Sequence, residues 1–295
     1  MSAPPAGAIR NVVVPRTRDL GGFEVRRVLP AVGQRMVGPF IFLDQMGPVT
    51  FPAGRGIEVR PHPHIGLSTV TYLFEGTIVH RDSLNTLQPI APGDLNWMTA
   101  GKGIVHSERA DPKLLQHPQR MFGLQIWVAL PQRFEETEPS FAHHPQASLP
   151  TLAGDGAQVR VIAGRAFGKT SPARTHSDLF YADVKLEAGA RFALAPEHEE
   201  RAAYVLDGGI EIDGAGYGPG QLLVFAPKQT ITFAAPAGAR FVVLGGEPMD
   251  GPRHIWWNFV SSRKERIEQA KADWKKNLFG LPIPGETDFT PLPES

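Results

Sequence analysis

Histidine carries the chemistry that is legible in this sequence. Two short groups stand out among the 10 histidines: Arg60-Pro61-His62-Pro63-His64, and Gly101-Lys102-Gly103-Ile104-Val105-His106-Ser107-Glu108. Side chains alternate along an extended chain, so His62 and His64 share one face, and so do His106 and Glu108. Pro61 and Pro63 stiffen the first segment, and Gly101 and Gly103 let the second bend close to it. Three imidazoles and one carboxylate on neighbouring strands make a nitrogen and oxygen site for one divalent metal ion. Fe(II), Mn, Ni, Cu and Zn all suit these donors. The chain has no cysteine, so no thiolate biases the choice. Four protein ligands around an octahedral ion leave two positions open, for dioxygen and a chelating oxygen substrate or for two waters. His80 follows on the strand after Gly76, with a role either beside this site or in packing. His117, His143, His144, His176 and His254 fall in or near turns and are expected to face solvent, and His198 is expected in a surface loop.

The elements that must position these residues read as strands. Gly (31) and Pro (28) together make a fifth of the 295 residues, against an average of about 12%. Such frequent punctuation favours an all-β fold. Residues 69–79 alternate β-branched and aromatic side chains, the pattern of a strand. Similar runs occupy 121–130, 158–163, 179–186, 202–206, 221–225, 230–234 and 240–244. Gly208-Gly209 and Asp213-Gly214 are hairpin signals. One helix is expected near the end. Ser262 and Glu265 fit a capping box. Ile267, Ala270, Trp274 and Leu278 recur at helical spacing, and Gly280 and Pro282 supply the stop. The tail beyond Pro282 reads as extended.

An internal repeat divides the chain. VTYLFEGTI (70–78) aligns with AAYVLDGGI (202–210) at an offset of 132, and Pro92-Gly93 with Pro219-Gly220 at an offset of 127. Two copies of one β-sandwich or barrel unit follow, joined through a segment, 131–158, rich in Pro, Glu and small residues. The same offsets carry His106 and Glu108 onto Phe233 and Ala235, and His62 and His64 onto Leu194 and Pro196. The second copy therefore lacks the metal ligands.

Other classes of function are disfavoured. The 30 basic and 30 acidic residues balance, which argues against affinity for nucleic acid or anionic membranes. No signal peptide or apolar run of about 20 residues is visible, so a cytoplasmic protein is expected. Gly21-Gly22 and Gly245-Gly246 lack dinucleotide-binding spacing, and no serine-hydrolase elbow is present.

The run PHPHIGLSTVTYLFEGTIVHRDS, followed by PGDLNWMTAGKGIVHSE, resembles the pirin family of the cupin superfamily. RTRDLGGFEVRRVLP, VGPFIFLDQMGP and WWNFVSSRKERIEQAKADW extend the likeness over nearly the whole chain. The resemblance implies a bicupin: two tandem antiparallel β-barrel (jelly-roll) domains and a C-terminal α-helix. The implied division is a metal-binding cupin over 1–135, a linker over 136–158, a degenerate cupin over 159–261, and helix and tail over 262–295. It also implies one metal, usually iron, held by His62, His64, His106 and Glu108. Asn85 departs from the glycine that pirins often carry in that turn.

Some pirins are similar in activity to quercetin 2,3-dioxygenases. By that likeness the substrates are a flavonol and O2, and Glu108 is the catalytic base for the flavonol hydroxyl. Others are regulators that bind a transcription factor or a metabolic enzyme, with iron as a redox sensor.

Overall fold

Close packing of the backbone decides where strands must break. The expected run 69–79 ends its first strand before Gly76, whose φ is +84°; a Cβ there would lie 2.2 Å from the Arg120 carbonyl oxygen. The computed structural model describes residues 7–19 and 23–294. Gly21 and Gly22 lie outside the described residues. The first strands are β1 (Ile9–Val13), β2 (Arg16–Asp19), β3 (Glu24–Leu29), β4 (Phe40–Phe51), β5 (Glu58–His64) and β6 (Leu67–Glu75). They continue with β7 (Ile78–Asp82), β8 (Leu87–Ile90), β9 (Leu95–Thr99), β10 (Ile104–Arg109), β11 (Gln119–Ala129) and β12 (Ser140–His144). Next come β13 (Thr151–Gly154), β14 (Ala157–Ala166), β15 (Lys169–Thr170), β16 (Leu179–Leu186), β17 (Ala190–Leu194) and β18 (Glu200–Gly208). The last are β19 (Ile210–Ile212), β20 (Ala215–Tyr217), β21 (Leu222–Phe225), β22 (Ile231–Ala235), β23 (Ala239–Gly246), β24 (His254–Trp256) and β25 (Phe259–Ser261), before helix α1 (Lys264–Lys275). The described residues are all-β with one C-terminal α-helix, built as two antiparallel barrels.

The described residues form two compact units that interleave along the chain. One comprises 17–19, 23–25, 44–146 and 250–294; the other comprises 7–16, 26–43 and 147–249. In the first unit the sheet β5-β10-β7-β8 packs on a sheet containing β12-β9-β6-β11. Leu73, Ile78, Ile90 and Met121 fill one part of this barrel. In the second unit β17-β22-β19-β20 packs on β1-β21-β18-β23-β16-β14-β13. Its apolar core includes Phe180, Phe225, Phe233 and Phe241. Asp213 and Gly214, both at positive φ, form the expected two-residue hairpin between β19 and β20.

Two local expectations change. Residues 136–158 are not simply connecting chain, because β12 pairs with β9 and β13 with β14. The helix has no capping box: Arg263 is the N-cap and makes no side-chain cap bond. Ser262 instead donates its N–H (2.8 Å) and hydroxyl (3.0 Å) to Glu135. Ile267, Ala270 and Trp274 are buried as expected, but Leu278 is 65% exposed. The helix stops before it, where Asn277 adopts φ +55° and the Leu278 N–H donates to the Asp273 carbonyl. This is a Schellman cap with Asn in the left-handed position.

Candidate metal centre

Two neighbouring strands carry the three imidazoles. β5 lies at the edge of its sheet and pairs with β10, with His62 opposite His106 and His64 opposite Ile104. An edge tolerates Pro61 and Pro63, which have no N–H to donate. Pro63 lies opposite Val105, whose N–H and C=O both bond Ser83 instead. Pro63 thus removes no bond from the ladder. A register shift between His106 and Glu108 bends β5 near Pro61. Gly101 supplies the turn into β10 at φ +52°, where a Cβ would meet the Thr137 carbonyl oxygen at 1.9 Å.

The ring nitrogens of His62, His64 and His106 come within 4.8 Å of one another. In each ring Nδ1 already has a partner. His62 Nδ1 bonds the Arg60 carbonyl at 2.8 Å, and His64 Nδ1 bonds the Asn258 carbonyl at 3.2 Å. A carbonyl only accepts, so both rings carry their proton on Nδ1 and leave the Nε2 lone pair free. His106 Nδ1 faces His80 Nδ1 at 3.4 Å, and His106 Nε2 is buried with no protein partner. Burial pushes His62 down to about 4, and burial with neighbouring imidazoles pushes His64 and His106 well below the ordinary value. Neutral rings with convergent free lone pairs are what a divalent ion requires. The chemistry of the donor set therefore fits a metal.

Glu108 stands on the same strand face as His106 but outside the tight group of three nitrogens. Its Oε1 accepts a hydrogen bond from Thr71 Oγ1 at 2.9 Å. Burial raises its carboxyl above the usual range, against the opposing pull of His80 and of Thr71. Thr71 also lies 3.0 Å from Gln125, and Trp127 meets the His64 ring edge-on at 5.2 Å. The outer face of β10 is held from the C-terminal tail. Glu286 accepts from Ser107 Oγ at 2.6 Å and from Arg109 Nε at 2.8 Å. A cavity of about 380 Å³ lined by Phe23, Phe51, Arg55, Glu58, Arg109 and Leu115 lies away from the three imidazoles, none of which lines it.

Several residues of this site escaped sequence reasoning. Asp82, Thr71, Gln125 and Trp127 gave no spacing signal of their own, although His80 and Asp82 repeat the i, i+2 pattern of the other pairs. Other histidines differ from expectation. His198 is buried, stacked on Phe180 at 4.9 Å, because its ring covers apolar surface in the second barrel. His143, His144, His176 and His254 are half-buried, whereas His117 is exposed as expected. His143 is held by Asn96 at 2.8 Å.

The second barrel shows what the same positions become without ligands. Phe192 lies opposite Phe233 on β17 and β22, as His62 lies opposite His106. Leu194 corresponds to His64, and Ala235 to Glu108. The register thus assigns Phe192 and Leu194, where the sequence offset pointed to Leu194 and Pro196.

Two family models match the chain: Pirin over residues 22–128, and Pirin C-terminal cupin domain over 181–280. The chain belongs to the pirin family. A pirin-like protein of Caulobacter vibrioides is 54% identical over 95% of this chain and 97% of its own. A Pseudomonas aeruginosa protein named "Putative quercetin 2,3-dioxygenase" is 36% identical over 87% of this chain and 80% of its own. The crystal structure of quercetin 2,3-dioxygenase from Acinetobacter baumannii superposes with a TM-score of 0.90 at 34% identity, covering 97% of this chain and 95% of the other. This pirin has no helix long and apolar enough to cross a membrane among its described residues.

Proposed function

We propose that this pirin is a metal-dependent dioxygenase acting on flavonols such as quercetin, with iron(II) as its metal. One observation carries the proposal: three neutral imidazoles converge with free Nε2 atoms inside a cupin barrel whose fold is shared with a quercetin 2,3-dioxygenase. His62, His64 and His106 would hold the ion, with Glu108 as the fourth ligand. When bound, the ion supplies Lewis acidity toward a chelating hydroxyl and one-electron chemistry with dioxygen.

The chain's own groups supply the rest. Glu108, on loosening from the ion, would accept the proton of the flavonol 3-hydroxyl, and burial, which raises its carboxyl above the usual range, favours that role. Thr71 orients that carboxyl through Oε1. The buried, water-poor setting strengthens each of these interactions. The aromatic flavonol and O2 are the substrates in this proposal, and the location is cytoplasmic.

The test is aerobic turnover of quercetin by Fe(II)-loaded protein, followed as loss of flavonol absorbance, with His64→Ala as the control. Turnover by the intact protein alone supports the dioxygenase. Iron bound without turnover would favour the alternative, a redox-responsive protein that binds a transcription factor or metabolic enzyme. In the same experiment, His64→Ala and His106→Ala are each expected to lose metal while keeping a cooperative melt.

A further inference from the structure

Behind His106 runs a chain of buried hydrogen bonds that sequence reasoning did not assign. His80 is 3% exposed and Asp82 is fully buried. Asp82 Oδ1 accepts from the backbone N–H groups of Leu84 at 2.9 Å and Thr86 at 3.0 Å. Its Oδ2 lies 2.9 Å from His80 Nε2. His80 Nδ1 in turn lies 3.4 Å from His106 Nδ1. The His80 ring is fixed by stacking on Phe141 at 4.4 Å.

With both imidazoles neutral, the donors and acceptors in this chain have one consistent assignment. The two backbone N–H groups hold the Asp82 carboxylate in place, and a carboxylate accepts only. The His80 proton therefore sits on Nε2, facing Asp82. That leaves His80 Nδ1 as an acceptor, so His106 Nδ1 must donate. His106 Nε2 is then a free lone pair, which agrees with its lack of any protein partner, and His106 presents a ring nitrogen within 4.8 Å of those of His62 and His64.

We infer that Asp82 and His80 are positioning residues that set the tautomer of His106 and so make it a metal ligand. The inference rests on the metal reading above. His62 and His64 take their orientation from backbone carbonyls. His106 alone of the three takes it from a side-chain relay. A side chain can be reversed by substitution, as a carbonyl cannot.

Asp82→Asn provides that reversal. The Leu84 and Thr86 N–H groups keep the amide oxygen on their side, which turns the amide NH2 toward His80. His80 Nε2 must then accept, its Nδ1 must donate, and His106 is left with its proton on Nε2. The experiment measures imidazole 15N shifts of the metal-free protein, with Zn(II) affinity by chelator competition and a thermal melt alongside. The intact protein is expected to show His106 protonated on Nδ1. Asp82→Asn is expected to show it on Nε2, with Zn(II) affinity lower by about 10–100-fold. His80→Phe keeps the stacking on Phe141 and serves where Asp82→Asn fails to fold. It removes the acceptor and is also expected to weaken Zn(II). An unchanged His106 tautomer in Asp82→Asn, or equal Zn(II) affinity in the intact protein and both variants, would overturn the inference. If the tautomer switches but the intact protein binds no Zn(II), the relay stands and the metal reading fails.

Discussion

Burial, more than any single contact, sets the behaviour of the histidines at the residue scale. His62 is lowered from 6.5 to about 4 in the folded protein; burial also lowers His64, with His62 beside it, and His106, with His62, His64 and His80 beside it. A lowered folded-state value means that the unfolded chain binds more protons once the pH falls through 6.5. Stability from these groups is thus complete above pH 6.5 and lost as the pH falls toward 4. For His62 alone this amounts to roughly 3 kcal/mol. Metal-free protein is expected to lose stability across that window in urea titrations at successive pH values. His62→Phe should flatten part of that dependence. A stability profile that stays level from pH 7 to about 4.5 would contradict the burial of neutral rings.

At the scale of elements, the strands serve two faces at once. β10 turns Ile104, His106 and Glu108 inward, and Val105, Ser107 and Arg109 toward the C-terminal segment. This explains why the strand lacks a simple alternation of polar and apolar residues. The start of α1 is anchored in a similar way by a partner distant in sequence. Glu135 accepts from Ser261, Ser262 and Arg253, and it and Arg253 are both buried. Ser262→Ala removes one hydrogen bond to the Glu135 carboxylate and should cost about 1.5 kcal/mol. Glu135→Ala leaves a buried guanidinium short of its carboxylate and should cost about 3 kcal/mol or more. Chemical denaturation of the two variants distinguishes this clamp from a capping box, for which the order would be reversed.

For the whole molecule, two barrels with separate apolar cores imply that the metal joins a body already folded. Chelation is expected to lower the melting temperature and leave the far-ultraviolet circular dichroism of the cold protein unchanged. An ion at 100 times its dissociation constant contributes about 2.7 kcal/mol. Loss of strand signal on chelation would instead make the metal structural. Phe233 occupies the place of His106 in the second barrel, fully buried and packed on Phe225 and Phe241. Phe233→Ala is expected to cost about 3–5 kcal/mol, with the metal stoichiometry unchanged.

Much of this protein was legible in local sequence. Alternation and turn residues determined the all-β class and the hairpin at Asp213-Gly214. The i, i+2 spacing of His62 and His64 determined that both imidazoles share a face, since side chains on a strand alternate whatever surrounds them. The repeat placed Phe233 and Ala235 in the second barrel where the first has His106 and Glu108. Tertiary structure alone decided the rest, because it depends on partners far apart in the chain. Ser262 chose Glu135 over the local cap, 127 positions away in sequence. His198 became buried because Phe180 lies beneath it. The second-barrel positions shifted to Phe192 and Leu194 because strand register, not a constant offset, sets correspondence. The proton position on His106 was undetermined by spacing, since it is set by His80 and Asp82 on a neighbouring strand and by the carboxylate that terminates their chain.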